Sequence, residues 1–385
     1  MSRAAWISIL SAIFLSRSLA AQQDTSSVHA LPDTLIPLSV PADSGRMRLT
    51  PILAPGYNPD LHFLVAGGVL LSWKTGANKL AVERSTLAST LVVSTTGAIS
   101  ISNGFSGFWR EGALRTVVGL TYRNKSDNYW GVGYQAGLRP FTSDSTTEYH
   151  RKWLQFNPLV LGRIAPNLFV GGSFDFNKTV ASDINPRMSA DQTFRRFGRR
   201  NANVGLGFAL QFDSRDVTVN AWRGSYLGLS GTFYGSYLGG DNGYQIFQAD
   251  YRRYHPLGRP GRILAWQLKA RIGTGDVPWA ELPLLGTVYD LRGYLDGRFR
   301  DRSTLFGLVE YRHTFLRSSG RLSRHGFVTW IGGGTLGRDP AHFRGFLPNA
   351  GLGYRFELQP RSNIRMDFGV GRHAHGVYFN FTEAF

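Results

Sequence analysis

Beyond its first twenty residues the chain has no apolar run approaching the roughly 18 residues of a membrane helix. Yet from about Leu61 to Phe385 it is a succession of alternating runs of roughly 9 to 14 residues, each closed by turn residues. These runs begin near Leu61, Ser85, Ala98, Ala113, Asn128, His150, Asn167, Asn201, Gly224, Tyr244, Arg262, Ser303, His325, Leu347, Ser362 and His375, about sixteen in all. In ALRTVVGLTYR, Leu114, Val118, Leu120 and Tyr122 share one face, and Arg115, Gly119, Thr121 and Arg123 the other. In NIRMDFGVGR, Ile364, Met366, Phe368 and Val370 oppose Arg365, Asp367, Gly369 and Gly371. A soluble sandwich alternates too, but its strands run to about five or six residues. About 9 to 11 tilted residues cross a bilayer. The pattern predicts an all-β, transmembrane antiparallel β-barrel of about 16 strands, an even number suiting antiparallel closure.

The connections sharpen this. Thr95-Thr96-Gly97, Ile164-Ala165-Pro166 and Gln359-Pro360-Arg361 are tight, whereas Lys74 to Arg84, Lys178 to Arg200 and Thr274 to Arg302 are long. If the first strand rises from the periplasm, the three long segments fall outside and the three tight turns inside. The segment YDLRGYLDGRFRD (Tyr289 to Asp301), dense in arginine, aspartate and glycine, then lies in the longest extracellular loop.

Ahead of the strands, Arg3, the apolar Ala4–Leu15 and the small-residue end at Ala20 read as a signal peptide over residues 1–20. A membrane anchor would need a longer apolar run. No cysteine occurs anywhere, which rules out a lipid-modified terminus and a disulfide framework. Residues 21–60, rich in Pro, Ser and Asp, are expected to be a flexible periplasmic lead, with the barrel occupying 61–385. In an exported chain, a formal charge of +17 points to lipid headgroups, lipopolysaccharide phosphates or anionic solutes rather than nucleic acid.

No Walker loop, His-Glu-x-x-His or Gly-x-Ser-x-Gly occurs, so no enzyme chemistry and no cofactor is expected. The glycine pairs GLGF (Gly205 to Phe208) and GVGR (Gly369 to Arg372) read as close packing in strands. His373 and His375 lack a third ligand for a metal. The basic FRRFGRRN (Phe194 to Asn201) reads either as a solvated loop or as a contact for lipopolysaccharide phosphates.

Four segments together resemble the barrel domain of the BamA/TamA superfamily, the bacterial surface antigen family. LRGY (Leu291, Arg292, Gly293, Tyr294), followed by GRFRD, resembles its loop signature. FDSRDVTVNAWRGSYL (Phe212 to Leu227) resembles a strand–turn–strand pattern. LFGLVEYRHTF (Leu305 to Phe315) resembles the strand after the loop, and GLGYRFELQPRSNIRMDFGVG with the terminal Phe385 resembles the last strands and their C-terminal barrel signal. The resemblance covers roughly residues 50 to 385. It implies that the long loop folds back into the lumen, where its arginine meets inner-wall carboxylates. Glu310 and Asp367 lie on the inward parity and are the expected counter-charges. Gly293 would allow close approach at the loop tip.

Three departures stand out. Gly332 stands where members often carry an aspartate, and Glu383 interrupts the outward face of Val377, Phe379, Phe381 and Phe385. The lead is too short for a client-capturing POTRA domain. The resemblance implies a non-enzymatic barrel in the bacterial outer membrane that aids protein or lipid insertion or translocation. Its partners would be outer-membrane lipids and lipopolysaccharide, and client outer-membrane proteins or a separate periplasmic partner. The alternative from composition is a passive channel that favours anions.

Overall fold

The computed structural model describes residues 7–8, 46–58, 62–75, 83–139, 147–218, 220–287, 289–359, 361–381 and 383–385. One antiparallel ladder runs unbroken through β1 (Arg48–Asn58), β2 (His62–Trp73), β3 (Ser85–Ser94), β4 (Ile99–Trp109) and β5 (Leu114–Asn128). It continues through β6 (Glu148–Phe156), β7 (Leu159–Ala165), β8 (Leu168–Ser182), β9 (Arg200–Asp213), β10 (Gly224–Tyr234), β11 (Tyr244–Pro256) and β12 (Arg262–Gly275). The two-residue strands β13 (Leu284–Leu285) and β14 (Phe299–Arg300) pair only with each other. The wall resumes with β15 (Ser303–Leu316), β16 (Leu322–Gly337), β17 (Phe343–Gln359), β18 (Ser362–Gly371) and β19 (Ala374–Phe381). Both β6 and β7 pair with β5 and with β8, so they are two halves of one stave, interrupted at Asn157-Pro158. Counted this way, the described residues build sixteen staves. Ile7–Ser8 add a short parallel pairing to Val377 and Tyr378.

Sixteen is the expected number, but two staves differ from the expected set. The run expected from Asn128 is not a strand; there the chain leaves the wall and forms helix α1 (Tyr134–Leu138). The stretch 48–58, expected to belong to an unstructured lead, is instead the strand β1. Pro51 and Pro55 hid it, since proline cannot donate to a ladder. It is tolerated here because β1, among the described residues, pairs in the wall with β2 alone, and an edge strand needs no second row of donors. Apart from Ile7–Ser8 and residues 46–47, the rest of the lead and the expected signal segment lie outside the described residues.

The added first stave also moves two connections. Thr75, where the chain leaves β2 toward β3, lies beside the 110–113 turn, its hydroxyl donating to the Phe108 carbonyl. It therefore sits at the end of the barrel that holds the tight turns, not with the long loops. The tight Thr95–Gly97 turn correspondingly falls at the loop end.

Inside and outside follow the two-residue period. Leu206, Phe208, Leu268, Ile331, Leu352 and Met366 are exposed on the outer face, at 49%, 48%, 49%, 66%, 60% and 49%. Such a face suits lipid rather than water. Inward neighbours such as Thr121, Asp175, Asn203, Arg365 and Asp367 are buried. No helix among the described residues is long and apolar enough to cross a membrane. That the sheet is curled shows in contacts across its interior. Asp216, in the turn between β9 and β10, pairs with Arg361, in the turn between β17 and β18.

Candidate functional site

The 276–302 segment leaves β12 and folds back inside the wall. Its neck is the β13–β14 ribbon, pairing Leu284 with Arg300 and Leu285 with Phe299. Below the neck, Asp290 organises the turn: its Oδ1 accepts from the backbone N–H of Gly286 (3.0 Å), Thr287 (2.6 Å) and Leu291. Leu285, Leu291, Tyr294 and Phe299 then pack on Phe306, Leu308, Val328, Trp330, Leu336 and Leu347 of the wall. Burial of these apolar side chains supplies the non-directional part of the docking energy.

The tip supplies the directional part. Arg292 is fully buried and reaches two staves at once. Its Nη1 donates to Asp367 Oδ2 at 2.9 Å, and its Nη2 to Glu310 Oε1. The guanidinium lies 3.6 Å from the centroid of the Trp330 ring. Trp330 is held in turn, donating from Nε1 to Asn349 Oδ1 at 2.9 Å, while Asn349 Nδ2 donates to the Arg292 carbonyl. An indole face therefore stands beside the arginine near the place where the family often carries a third carboxylate. Gly332 itself points inward one step further along the same strand, where a Cβ would meet the Gly307 carbonyl at 2.1 Å.

Glycine matters at one contact. Gly293 has φ +118°, and a Cβ there would sit 2.8 Å from the Gly369 carbonyl oxygen. A Cβ on Gly369 would sit 2.2 Å from the Arg292 carbonyl oxygen. Loop and wall thus touch backbone to backbone, an approach that only glycine permits. Tyr378 fastens the same point, its hydroxyl accepting from Gly293 N at 2.8 Å and donating to the Tyr294 carbonyl at 3.1 Å. The Tyr294 hydroxyl donates to Pro348 O at 2.8 Å and accepts from Arg372 N at 2.7 Å.

Around Arg292 the carboxylates are shared. Glu310 Oε2 accepts from Arg312 Nε at 3.0 Å. Asp367 accepts from Arg355 at 2.6 Å and from Arg365 at 2.9 Å. Arg355 also donates to Glu383 at 2.8 Å. The result is a buried knot of four arginines and three carboxylates. Above it, at the loop end, an aromatic cluster joins the loop to its neighbours. Trp279 of the loop packs edge-on against Tyr129, Tyr149 and Phe194, and its Nε1 donates to the Gly198 carbonyl at 3.0 Å. Phe194 lies in helix α3 (Gln192–Phe197), which follows helix α2 (Pro186–Ala190). Part of the basic FRRFGRRN segment is therefore packed against the 276–302 loop.

A model of the Omp85 superfamily domain matches residues 97–369, more than half of the chain. The chain belongs to the Omp85 superfamily. That places it among outer-membrane insertion and translocation barrels. Among solved structures, this Omp85 chain is similar to BamA from Haemophilus ducreyi lacking POTRA domains 1–3, at 12% identity and a TM-score of 0.60, covering 88% of this chain and 70% of that one. It is also similar to CdiB from Acinetobacter baumannii, at 15% identity and a TM-score of 0.52, covering 86% of this chain and 62% of that one. At these identities the two structures speak to the fold alone. No curated protein matches the sequence.

Of the residues singled out in the sequence, the Omp85 barrel brings Leu291, Arg292, Gly293, Tyr294, Glu310 and Asp367 together in one place. Phe385 and Glu383 differ from expectation. Alternation puts both on the outer face, but the chain leaves β19 after Phe381 and turns inward. Phe385 is buried against Tyr254, with its carbonyl accepting from Arg312 Nη2 at 2.8 Å, and Glu383 joins the arginine knot. Arg312, Arg355 and Arg365 were not singled out, although each carries the inward parity that marked the two carboxylates. Trp330 and Tyr378 gave no local signal; their roles arise only when the loop arrives.

Proposed function

We propose that this chain is a non-enzymatic assembly or translocation barrel of the bacterial outer membrane, aiding insertion or passage of proteins or lipids. Its loop end faces outward and its C-terminal end faces the periplasm. Clients would be outer-membrane proteins or lipids, delivered by a separate periplasmic partner. Nucleic acid plays no part.

The observation that carries this reading is the plug. Arg292 is fully buried between two staves, and an apolar core joins the loop to the wall. A passive solute channel needs a standing aqueous path, whereas a barrel that handles large clients needs a sealed resting state and a releasable seal. Around the tip, the basicity that would favour an anion channel is engaged: Arg292, Arg312, Arg355 and Arg365 are paired with Glu310, Asp367 and Glu383.

The test is reconstitution of the full chain in planar bilayers and in liposomes. The expected result is low resting conductance, higher conductance for Arg292→Ala, and faster insertion of an unfolded β-barrel client than in protein-free liposomes. A wild-type chain that is open and anion-selective, with no effect on insertion, would instead support the passive channel.

A further inference from the structure

Three outward-facing cations converge on neighbouring staves near the loop end. On β8, Val180 stands opposite Lys152 of β6 and Arg200 of β9, while Lys178 stands opposite Leu154 and Ala202. Lys152 and Arg200 therefore flank Val180 in one row, about 10 Å apart at a strand spacing of about 4.8 Å. Lys178 lies in the next row, diagonal to both at about 7 to 8 Å. All three are exposed and share the parity of the outward Phe156, Leu206 and Phe208. None of them forms an ion pair with another described residue. The contrast is with the buried knot, whose four arginines are each matched to a carboxylate. The nearest acids are otherwise placed: Asp241 accepts from Ala202 N at 2.7 Å, and Glu148 and Asp183 stand higher, at the rim.

What lies beneath the cations identifies the ligand. One row below Lys178, Phe156, Phe176 and Val204 begin the apolar belt, which continues through Phe208 and Val160 to Phe212 and Ile164. The cations thus ring the upper edge of a lipid-facing surface, at headgroup depth. A single diester phosphate needs about one cation. Three cations spread over about 10 Å suit phosphomonoesters, which carry close to two charges each at neutral pH.

We propose that Lys152, Lys178 and Arg200 bind the phosphates of a phosphorylated glycolipid of the outer leaflet, whose acyl chains lie on the Phe156–Phe208 belt. The assignment to the outer leaflet rests on the orientation proposed above; the binding chemistry does not.

The test uses the full chain in detergent micelles with three probes: a bis-phosphorylated glucosamine-based lipid, the same lipid stripped of phosphate, and inorganic phosphate. The variants are the triple Lys152→Ser/Lys178→Ser/Arg200→Ser and, at the opposite end of the barrel, Arg321→Ser. Each lost cation should weaken binding of the phosphorylated lipid about fivefold, so the triple variant should bind about a hundredfold more weakly. Arg321→Ser should bind like wild type, the stripped lipid should bind weakly to all three proteins, and inorganic phosphate should not compete. Equal affinity of the triple variant and wild type would overturn the proposal. So would an equal loss in Arg321→Ser, which would mean bulk charge, or displacement by inorganic phosphate, which would mean a free-anion site. A heat-dependent gel shift identical to wild type establishes that the triple variant is folded. Unchanged conductance in it separates failure here from failure of the plug reading.

Discussion

Arg292 and Asp367 form one ion pair, yet removing one should not be equivalent to removing the other. Arg292→Ala deletes two charge-assisted bonds, worth about 1.5 to 3 kcal/mol each, and a desolvated ring contact of about 2 kcal/mol. Against this, a buried guanidinium no longer has to be dehydrated, a saving of several kcal/mol. The remaining knot is balanced: Glu310 keeps Arg312, and Asp367 keeps Arg355 and Arg365. The net loss in loop docking should be about 2 to 3 kcal/mol, or about 30- to 150-fold in the opening equilibrium. Asp367→Asn is different. It strips an anion from three arginines at once and leaves four cations facing two carboxylates. Breaking a buried pair so that charge is left over costs about 3 to 5 kcal/mol, about 150- to 4,000-fold. Hydrogen exchange followed by mass spectrometry over residues 286–298 reads that opening directly. Expected protection falls in the order wild type, Arg292→Lys, Arg292→Ala, Asp367→Asn. Lysine is intermediate because one ammonium cannot span two carboxylates on separate staves as a guanidinium does. If Arg292→Ala loses as much protection as Asp367→Asn, the charge-balance reasoning is wrong. If neither changes protection, the tip does not hold the loop.

Gly369→Ala should undock the tip without touching any charge, because its Cβ would meet the Arg292 carbonyl at 2.2 Å; loop protection should drop while strand content by circular dichroism stays constant. Burial and the nearby Asp175 push the Glu281 carboxyl up to about 7, against Arg151 and Arg271, which pull it down. A carboxyl with a raised folded-state value favours the docked loop at low pH, and that contribution is lost as pH rises from about 4.5 through 7; bilayer conductance should therefore rise between pH 5 and 8, and Glu281→Gln should flatten that rise. The sixteen-stave wall should resist detergent until heated, so unboiled and boiled samples should differ in electrophoretic mobility, and identical mobilities would contradict a stable barrel.

The wall was legible because one face of each stave meets an apolar environment, and that imposes a period of two on residues such as Ile364 to Val370. The same parity marked Glu310 and Asp367 as inward. Where a segment's neighbours rather than its pattern decide its state, the sequence was opaque. β1 carries two prolines and becomes a strand only as the ladder's edge. The stretch after Asn128 looks strand-like, but the backbone of Tyr129 already bonds to Thr147 and that of Gly133 to Arg300 of the docked loop. Glu383 kept its alternation on paper, but the chain has left the strand by then, so its parity no longer reports its direction. Arg355 to Glu383 and Arg292 to Asp367 join residues 28 and 75 positions apart, a distance no local pattern encodes.

Three staves carry an inward acid and an inward arginine two residues apart, bonded within the strand: Asp250–Arg252 at 2.6 Å, Glu310–Arg312 at 2.9 Å and Arg365–Asp367 at 2.9 Å. Because the partners are near neighbours in sequence, each couple can form as soon as its stave is extended, before any other stave arrives. A lone arginine at the bilayer midplane costs about 2 to 4 kcal/mol, and a self-compensated stave avoids much of that while the sheet is still growing. The couples cannot, however, tell one alignment from another. A slip of two residues keeps the same charges inward, while a slip of one turns both toward lipid together. Discrimination falls to the long-range contacts of the loop tip, which can be made in a single register. Local couples ease the entry of the staves that carry them; the tip arginine then checks that the staves have entered in step.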